Sequence, residues 1–315
     1  MTGNVVSSYN DDLFEGVEKR IELVFNEHTH IMSSLRSLTH EDISQILDAA
    51  KCTILVKKSL EDFDAYILSE SSLFVYDYKV IILTCGTTSL LLSVPLIIQK
   101  AILLGLTCIL CQFTRGDYLF PTNQNYPHTS FEEECKYLDT HVSSMNTKFV
   151  SSDNFNSKLY SKSKYIWITY EDVYEDVYQD VYKNLLNIFQ KKVYFNIHVQ
   201  SDYITQIRRL VGKIVDSYDD YIFTPCGYSL NGYKNNDYIT IHITPQSACS
   251  YVSIEYTGSI NIQKYTDEIY SIFHHMPSKI KPSLDIPRKS SFDMTYTINT
   301  PIQIENKTKS VYISI

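Results

Sequence analysis

The sequence predicts an α+β fold built mainly from antiparallel strands. Two segments, 238–244 (YITIHIT) and 251–256 (YVSIEY), alternate apolar and polar residues with the two-residue period of a half-buried strand. Short apolar segments between residues 53 and 85 indicate an antiparallel meander. Helical segments do not alternate regularly with strands, as they do around a parallel sheet. We therefore expect strands to pair with neighbouring strands and helices to cover the outer faces.

The individual elements follow from periodicity and from end signals. Thr39 is a candidate cap for a helix over 40–52, and Thr87 or Thr88 for a helix that reaches Leu104. The segment 14–25 is compatible with a helix, but its alternation and Gly16 favour a strand. Further strands are predicted at 53–56, 65–68, 73–75, 80–85, 107–113 and 164–169, and further helices at 130–141 and 202–216.

A repeated four-residue unit stands out at 170–182 (YEDVYEDVYQDVY). Its Tyr and Val residues share one face of a helix and its acids share the other. We predict a surface helix, because acidic runs are more often solvated faces than ion-binding sites.

Composition limits the class of protein. The 315 residues are 44% hydrophobic and have no Pro/Gly/Ser-rich linker, so we expect one domain over 1–315. A net charge of -8 with dispersed Lys and Arg argues against nucleic-acid binding. Pro95 and Lys100 interrupt the densest apolar stretch, 89–111, and no secretory signal is visible at the start, so no membrane association is expected. Seven cysteines, an odd number without paired zinc-ligand spacing, predict free thiols, a cytoplasmic location and no metal site.

The dipeptide Glu70-Ser71 is the first candidate for chemistry. It lies between two apolar strands, where a serine hydroxyl can attack the preceding carbonyl if a strained turn holds the backbone. Taken alone, Glu-Ser-Ser is more often an ordinary polar turn. The rest of the chain decides between these interpretations.

The chain resembles the eukaryotic S-adenosylmethionine decarboxylases along nearly its whole length. Tyr126-Pro127-His128 before an acidic helix adds to the likeness. Four segments in the same order carry the resemblance: FEGVEK (14–19), LSESS (68–72) with TCGTT (84–88), PCGYSLNG (225–232), and TIHITP (240–245) running to SYVS (250–253).

The resemblance implies a four-layer α/β/β/α sandwich with two antiparallel sheets flanked by helices. It also implies self-cleavage between Glu70 and Ser71 into a small chain, 1–70, and a large chain, 71–315. Ser71 then becomes a pyruvoyl group, which condenses with the substrate amine and accepts electrons as carbon dioxide leaves S-adenosylmethionine. The product supplies aminopropyl groups for spermidine and spermine, and no external cofactor is needed.

The resemblance assigns roles to particular residues. Cys85 matches the proton donor for turnover, although a lone cysteine is more often a packing thiol. His242 matches the base that removes the Ser71 α-proton, and Ser229 matches the hydroxyl that bonds the processing intermediate. Glu15 and Glu18 match active-site carboxylates. Ser72 is expected to take no part.

Substrate contacts are assigned in the same way. Phe14 and Phe223 match the rings that sandwich the adenine. Leu68 and Glu70 are further expected substrate contacts. Gln246 stands where the family commonly has a ribose-binding glutamate, and a neutral amide should hold the ribose less strongly than a carboxylate.

A charged zone between the sheets is the last assignment. Arg20, Glu22 and Glu255 match its members, while Leu83 stands where animal relatives carry a lysine. Arg20 resembles the plant arrangement, in which a built-in cation replaces the activator putrescine, so we expect no strong putrescine stimulation. The resemblance does not decide whether the cleaved protein is a single pair of small and large chains or a dimer of such pairs. A catalytically impaired paralogue that regulates an active enzyme is the alternative function.

Overall fold

The structure is a computed structural model of the whole chain. It describes residues 17–27, 33–116, 118–142, 147–157, 160–170, 188–192, 201–224, 227–244 and 251–258, together with 260, 262–265, 268, 269, 271, 272, 311 and 312.

The described strands form two sheets. Their bounds are β1 Lys19–Glu27, β2 Ile54–Ser59, β3 Phe63–Leu68, β4 Ser71–Tyr76, β5 Lys79–Thr84, β6 Leu106–Arg115, β7 Thr147–Ser157, β8 Tyr160–Tyr170, β9 Ile188–Lys192, β10 Ser217–Ile222, β11 Tyr228–Lys234, β12 Asp237–Thr244, β13 Tyr251–Tyr256 and β14 Val311–Tyr312. The larger sheet has nine strands in the order β14-β7-β8-β6-β1-β5-β4-β3-β2, and the smaller has five in the order β10-β11-β12-β13-β9. Every described pair is antiparallel except the short β14–β7 pair, so the predicted α+β class is confirmed.

Four helices longer than one turn are described: α1 His40–Ala50, α2 Val94–Leu103, α3 Phe131–His141 and α4 Ser201–Val211. The Thr39 side chain accepts a hydrogen bond from the Asp42 N–H, as its capping role predicts. Ser130 caps α3 in the same way through the Glu133 N–H.

Three apolar clusters show how the layers stack. Helices α1, α2 and α3 pack on the outer face of the larger sheet, with Ile43, Ile97 and Leu138 among the buried contacts. Helix α4 packs its Ile204 and Ile207 on the outer face of the smaller sheet. The two inner faces meet at a third cluster, made of Phe63, Ala65, Phe74, Ile81 and Leu83 from the larger sheet and Tyr233 and Tyr238 from the smaller. The result is the expected four-layer α/β/β/α sandwich.

One predicted helix boundary is wrong. The segment expected to start at Thr87 or Thr88 instead forms a 3-10 turn at Leu90–Ser93, and α2 begins at Val94 with Pro95 in its first turn. Thr88 is not a cap, because its hydroxyl lies 2.9 Å from the Cys85 carbonyl oxygen. Strands β7, β9, β10, β11 and β14 are not predicted from the sequence. In β10 the twofold alternation of apolar and polar residues is unclear, which explains why this strand was missed.

Several sequence-based predictions lie outside the described residues. These are the repeat over 171–182 and the side chains of Phe14, Glu15 and Gln246. Within the part of the chain that the structure describes, no helix has the length and apolar character needed to cross a membrane.

Candidate active site

The Glu70-Ser71 bond lies at the tight turn between β3 and β4, on the inner side of the larger sheet. Ser71 pairs with Leu68 across the hairpin and with Thr84 of β5. Its side chain is buried, with 2% of its surface exposed, and its backbone has φ of 150°. Residues with a side chain seldom adopt this conformation, so the backbone at the predicted cleavage bond is strained.

The carbonyl of Glu70 faces Cys85. The Cys85 N–H donates to the Glu70 oxygen at 3.0 Å, and the Cys85 thiol lies 3.3 Å from the same atom. Two donors on one carbonyl oxygen would stabilise negative charge that develops there. Burial raises the pKa of the Cys85 thiol, and the nearby carboxylates of Glu70 and Glu18 raise it further. The thiol therefore keeps its proton at neutral pH and can act as a donor.

The turn that carries Cys85 is held from several sides. Gly86 has a φ of 63°, which favours glycine, and its carbonyl accepts a hydrogen bond from the buried Lys19 ammonium at 2.8 Å. The Asn125 amide donates to the carbonyl of Thr87. The Thr88 hydroxyl bonds the carbonyl of Cys85 itself. These contacts fix the thiol against the Glu70 carbonyl.

His242 reaches the same bond from the opposite sheet. It lies on β12, directly paired with Ser229 of β11. Its Nδ1 lies 3.0 Å from Ser71 Oγ and shares a hydrogen bond with the Glu18 carboxylate. Glu18 also accepts a 3.3 Å hydrogen bond from the Ser71 hydroxyl. A base, its carboxylate partner and a nucleophile thus meet between the sheets, although they come from distant parts of the chain.

Ser229 lies beside His242 on the neighbouring strand. It is buried, with 3% exposed, on the same inner face as His242. Among the described hydrogen bonds, none joins its hydroxyl to Ser71 or to His242. Its assigned role in holding the processing intermediate stays a prediction.

Ser72, which the sequence predicts to take no part, lies in contact with His242. Its hydroxyl oxygen lies 3.0 Å from His242 Nε2 and 2.8 Å from Asn231 Oδ1. Thr240 Oγ1 lies 3.1 Å from the same ring nitrogen. Sequence reasoning missed Ser72, Asn231 and Thr240 as members of the site. A signal was present, because Asn231 and Thr240 stand two residues from Ser229 and His242 and so share their strand faces.

The predicted substrate contacts are only partly described. Leu68 has no exposed surface, and its side chain lies in the core under α1 and α2. Burial raises the pKa of the Glu70 carboxyl to about 7. Phe223 follows β10, and a Cβ at Gly227, whose φ is 121°, would lie 3.3 Å from Phe223 Cβ. A glycine there lets the chain pass close to the aromatic ring. Phe14, Glu15 and Gln246 lie outside the described residues.

The structure brings the predicted charged zone together. Arg20 Nε lies 3.0 Å from Glu255 Oε1, and Arg20 Nη2 lies 2.7 Å from Glu22 Oε2. Burial lowers the pKa of Arg20, but the two carboxylates outweigh burial and raise it above its usual value. Leu83 is the residue paired with Arg20 on β5 and is buried between the sheets. A cation is thus already present in this zone.

The comparisons with known proteins show the family of this chain. A family model described as adenosylmethionine decarboxylase matches residues 11–309. S-adenosylmethionine decarboxylase proenzyme 3 from Arabidopsis thaliana is 39% identical over 277 residues, covering 82% of this chain and 79% of the relative. A proenzyme of the same name from Catharanthus roseus is 34% identical over 291 residues, covering 88% and 81%.

Among solved structures, a Trypanosoma brucei AdoMetDC-delta26 monomer is 26% identical, with a TM-score of 0.41, and covers 64% of this chain and 75% of its own. The family match spans most of the sequence, and the two plant relatives are aligned over more than two thirds of it. The chain therefore belongs to the adenosylmethionine decarboxylase family.

Proposed function

We propose that this chain is a proenzyme that cuts itself at Glu70-Ser71 and then decarboxylates S-adenosylmethionine for spermidine and spermine synthesis. The observation that carries the proposal is the arrangement around one peptide bond. Ser71 Oγ lies 3.0 Å from His242 Nδ1, while the Glu70 carbonyl accepts the Cys85 N–H at 3.0 Å. A base thus faces the nucleophile, and a donor faces the atom where charge develops.

The first step is attack of the Ser71 hydroxyl on the Glu70 carbonyl carbon. His242 Nδ1 and Glu18 Oε1, at 3.0 and 3.3 Å, are placed to take the hydroxyl proton. Cys85 stabilises the oxyanion through its N–H and thiol. The C–N bond then breaks as the nitrogen takes a proton, and an ester replaces the amide. The strained backbone at Ser71 raises the energy of the uncut amide and so favours its conversion to the ester.

The second step breaks the ester. Removal of the Ser71 α-proton, for which His242 is the base at hand, expels the upstream chain with a carboxylate at Glu70. The dehydroalanine left at position 71 is hydrolysed, ammonia leaves, and a pyruvoyl group remains at the start of the large chain. Residues 1–70 and 71–315 would stay together as one domain, because β1 to β3 of the small chain lie within the same sheet as β4 and β5.

The pyruvoyl group would supply the electron sink for loss of carbon dioxide. Its surroundings fit this role, because position 71 lies beside a thiol that burial keeps protonated. Cys85 can then deliver the proton that replaces the carboxylate on the substrate carbon. Phe223, with Phe14 and Gln246, is the proposed binding site for the adenosyl part. Free cysteines at the five described positions support a reducing, cytoplasmic location.

A catalytically impaired regulatory paralogue is the second candidate. Such a subunit has no need of both the processing residues and the proton donor. This chain keeps both kinds of residue. His242 contacts the Ser71 hydroxyl, and the Cys85 thiol contacts the Glu70 carbonyl oxygen, which favours an active enzyme.

Mass spectrometry of the purified protein is the first test. Two chains are expected, the larger carrying a pyruvoyl group at position 71, and Ser71→Ala should give one uncut chain. Release of carbon dioxide from carboxyl-labelled S-adenosylmethionine should accompany the cut and be absent in Ser71→Ala. A wild-type protein that stays a single chain would rule out the proposal.

A further inference from the structure

Lys19 is a fully buried lysine that directly follows Glu18 in the chain. It has no exposed surface, and burying an ammonium group costs free energy unless acceptors surround it. Consecutive residues of an extended chain point to opposite faces of a sheet. Glu18 faces Ser71 between the sheets, whereas Lys19 alternates with Ile21 and Leu23, which pack under the outer helices. The two adjacent side chains therefore lie on opposite sides of the larger sheet.

The Lys19 ammonium is held against the turn that carries Cys85. It donates to the Gly86 carbonyl at 2.8 Å and to Gln124 Oε1 at 3.1 Å. Lys19 also pairs in register with Thr84, the residue that precedes Cys85. The lysine is thus tied to the residues on both sides of the thiol, and Gln124 holds its ammonium from the loop that follows β6.

The ionisable groups around the Cys85 thiol do not all act in the same direction. Burial raises the pKa of Cys85, and the carboxylates of Glu70 and Glu18 raise it further. The thiol of Cys52 also raises it. Among the described groups that act on Cys85, the Lys19 ammonium alone lowers the pKa. Lys19 is therefore the group that favours the thiolate.

Delivery of the proton is the step in which this charge acts. As the Cys85 S–H bond breaks, a C–H bond forms at the substrate carbon that has lost carbon dioxide, and the S–H electron pair stays on sulfur as a thiolate. General acids are most efficient when their pKa lies near the working pH. A buried thiol beside carboxylates is a weak acid, so a nearby cation that stabilises the thiolate lowers the barrier to proton delivery.

We propose that Lys19 is a positioning residue for decarboxylation, which holds the Cys85 turn through Gly86 and supplies the positive charge that stabilises the thiolate left when Cys85 gives up its proton. This inference rests on the proposed decarboxylation, with Cys85 as its proton donor. It gives adjacent residues separate tasks on the two faces of the sheet. Glu18 serves the cut, and Lys19 serves turnover.

Alkylation of Cys85 in the uncut chain tests the charge without any turnover. Cys85 is half-buried, and in protein carrying Ser71→Ala its thiolate should react with iodoacetamide, which peptide mass spectrometry follows separately from the other cysteines. Adding Lys19→Met should slow alkylation at about pH 8 by about tenfold, because a smaller fraction of the thiol is ionised. Lys19→Gln, which keeps a donor for the Gly86 carbonyl but not the charge, should slow it similarly.

Lys100→Met is the matched control for alkylation. Lys100 is another largely buried ammonium, but it bonds Asp42 at 2.6 Å between α2 and α1. Its removal should leave the alkylation rate of Cys85 unchanged. An equal or faster rate in either folded Lys19 variant overturns the proposal, because a loosened turn would expose the thiol without making it less acidic.

Turnover of the cut protein gives the second readout. Lys19→Met should lower kcat by about tenfold with little change in KM, because the charge acts on proton delivery and not on substrate binding. The solvent deuterium isotope effect on kcat should rise, whereas a mere loss of folded protein would leave it unchanged. Wild-type values of kcat and of the isotope effect in Lys19→Met would overturn the inference. If the wild-type protein released no carbon dioxide, the proposed function would fail, and the alkylation rates would still decide whether Lys19 stabilises the thiolate.

Discussion

Two buried histidine–glutamate pairs in this protein have different surroundings, and the difference shows what makes one of them a reactive site. His128 Nδ1 lies 2.6 Å from Glu134 Oε1, and His242 Nδ1 is similarly close to Glu18 Oε1. His128 has no exposed surface and His242 only 5%. Burial and a carboxylate partner are therefore common to both pairs, and neither property distinguishes a reactive pair from a structural one.

The two histidine–glutamate pairs differ in their other hydrogen-bond partners. His128 Nε2 accepts the Leu91 backbone N–H at 3.3 Å, and Glu134 also accepts from Arg115 at 2.8 Å and from the Tyr118 hydroxyl at 2.5 Å. Burial lowers the pKa of His128 to about 4, so the ring stays neutral. His242 instead faces serine and threonine hydroxyls, one of which adjoins a strained peptide bond. Fixed donors make the first pair structural, and the nucleophile makes the second reactive.

Removing each carboxylate should separate these roles, and we expect the largest effects here. Glu18→Gln should slow cleavage by about 100-fold or more, because the base loses its charged partner, with little change in thermal stability. Glu134→Gln should lower the free energy of unfolding by about 3–5 kcal/mol, because it removes the buried carboxylate that the Arg115 guanidinium contacts at 2.8 Å. Cell-free synthesis followed by gel electrophoresis measures cleavage, and thermal melting measures stability. Slow cleavage in well-folded Glu134→Gln would contradict the purely structural role of the His128–Glu134 pair.

Two thiols with raised pKa values allow a similar test within the active site. Cys85→Ala keeps the backbone N–H on the Glu70 carbonyl, so cleavage should slow by no more than about tenfold, the cost of one hydrogen bond. Decarboxylation by the cut protein should fall by about 100-fold or more, because its proton donor is gone. Cys52→Ala is the control, since burial also raises the pKa of Cys52 to about 12 but its thiol bonds the Ala50 carbonyl. Equal losses of cleavage and decarboxylation in Cys85→Ala would contradict the assignment.

The pH dependence of stability should differ in sign between the two regions. Burial raises the pKa of Glu70 from 4.5 to about 7, so its stabilising contribution is present below pH 4.5 and is lost as the pH rises through about 7. The pKa of His128 falls from 6.5 to about 4, so its contribution is present above pH 6.5 and is lost as the pH falls toward 4.

Melting temperatures of uncut Ser71→Ala protein, with and without Glu70→Gln, test this at pH 5 to 8. The stability advantage of the chain that keeps Glu70 over the glutamine variant should shrink as the pH rises. A constant difference across the range would show that the Glu70 carboxyl does not titrate there.

The smallest effect concerns the charged zone, a third buried ionic group. Because Arg20 already neutralises Glu22 and Glu255, putrescine should stimulate the wild-type enzyme by less than about twofold. Arg20→Leu leaves these carboxylates without their cation and should make activity depend on putrescine. Arg36→Leu, which removes a more exposed cation beside Asp64, is the control and should show no such dependence. Stimulation of the wild type by many-fold would refute the role assigned to Arg20.

The sequence by itself determined the local elements and the identity of the reacting groups. Alternation predicted β12 and β13, the capping residue Thr39 predicted the start of α1, and the motifs around Ser71, Cys85 and His242 indicated the chemistry. These signals are local, because hydrophobic period and caps depend on residues within a few positions of each other.

Only the tertiary structure decided which groups meet. His242 lies 171 positions from Ser71 in the chain yet within 3.0 Å of its hydroxyl. Thr88 and Ser72, taken as a cap and a bystander in the sequence, contact Cys85 and His242 instead. Hydrogen-bond direction depends on every neighbour of a buried group, and those neighbours come from different strands. For that reason the two histidine–glutamate pairs could be told apart only once both sheets were in place.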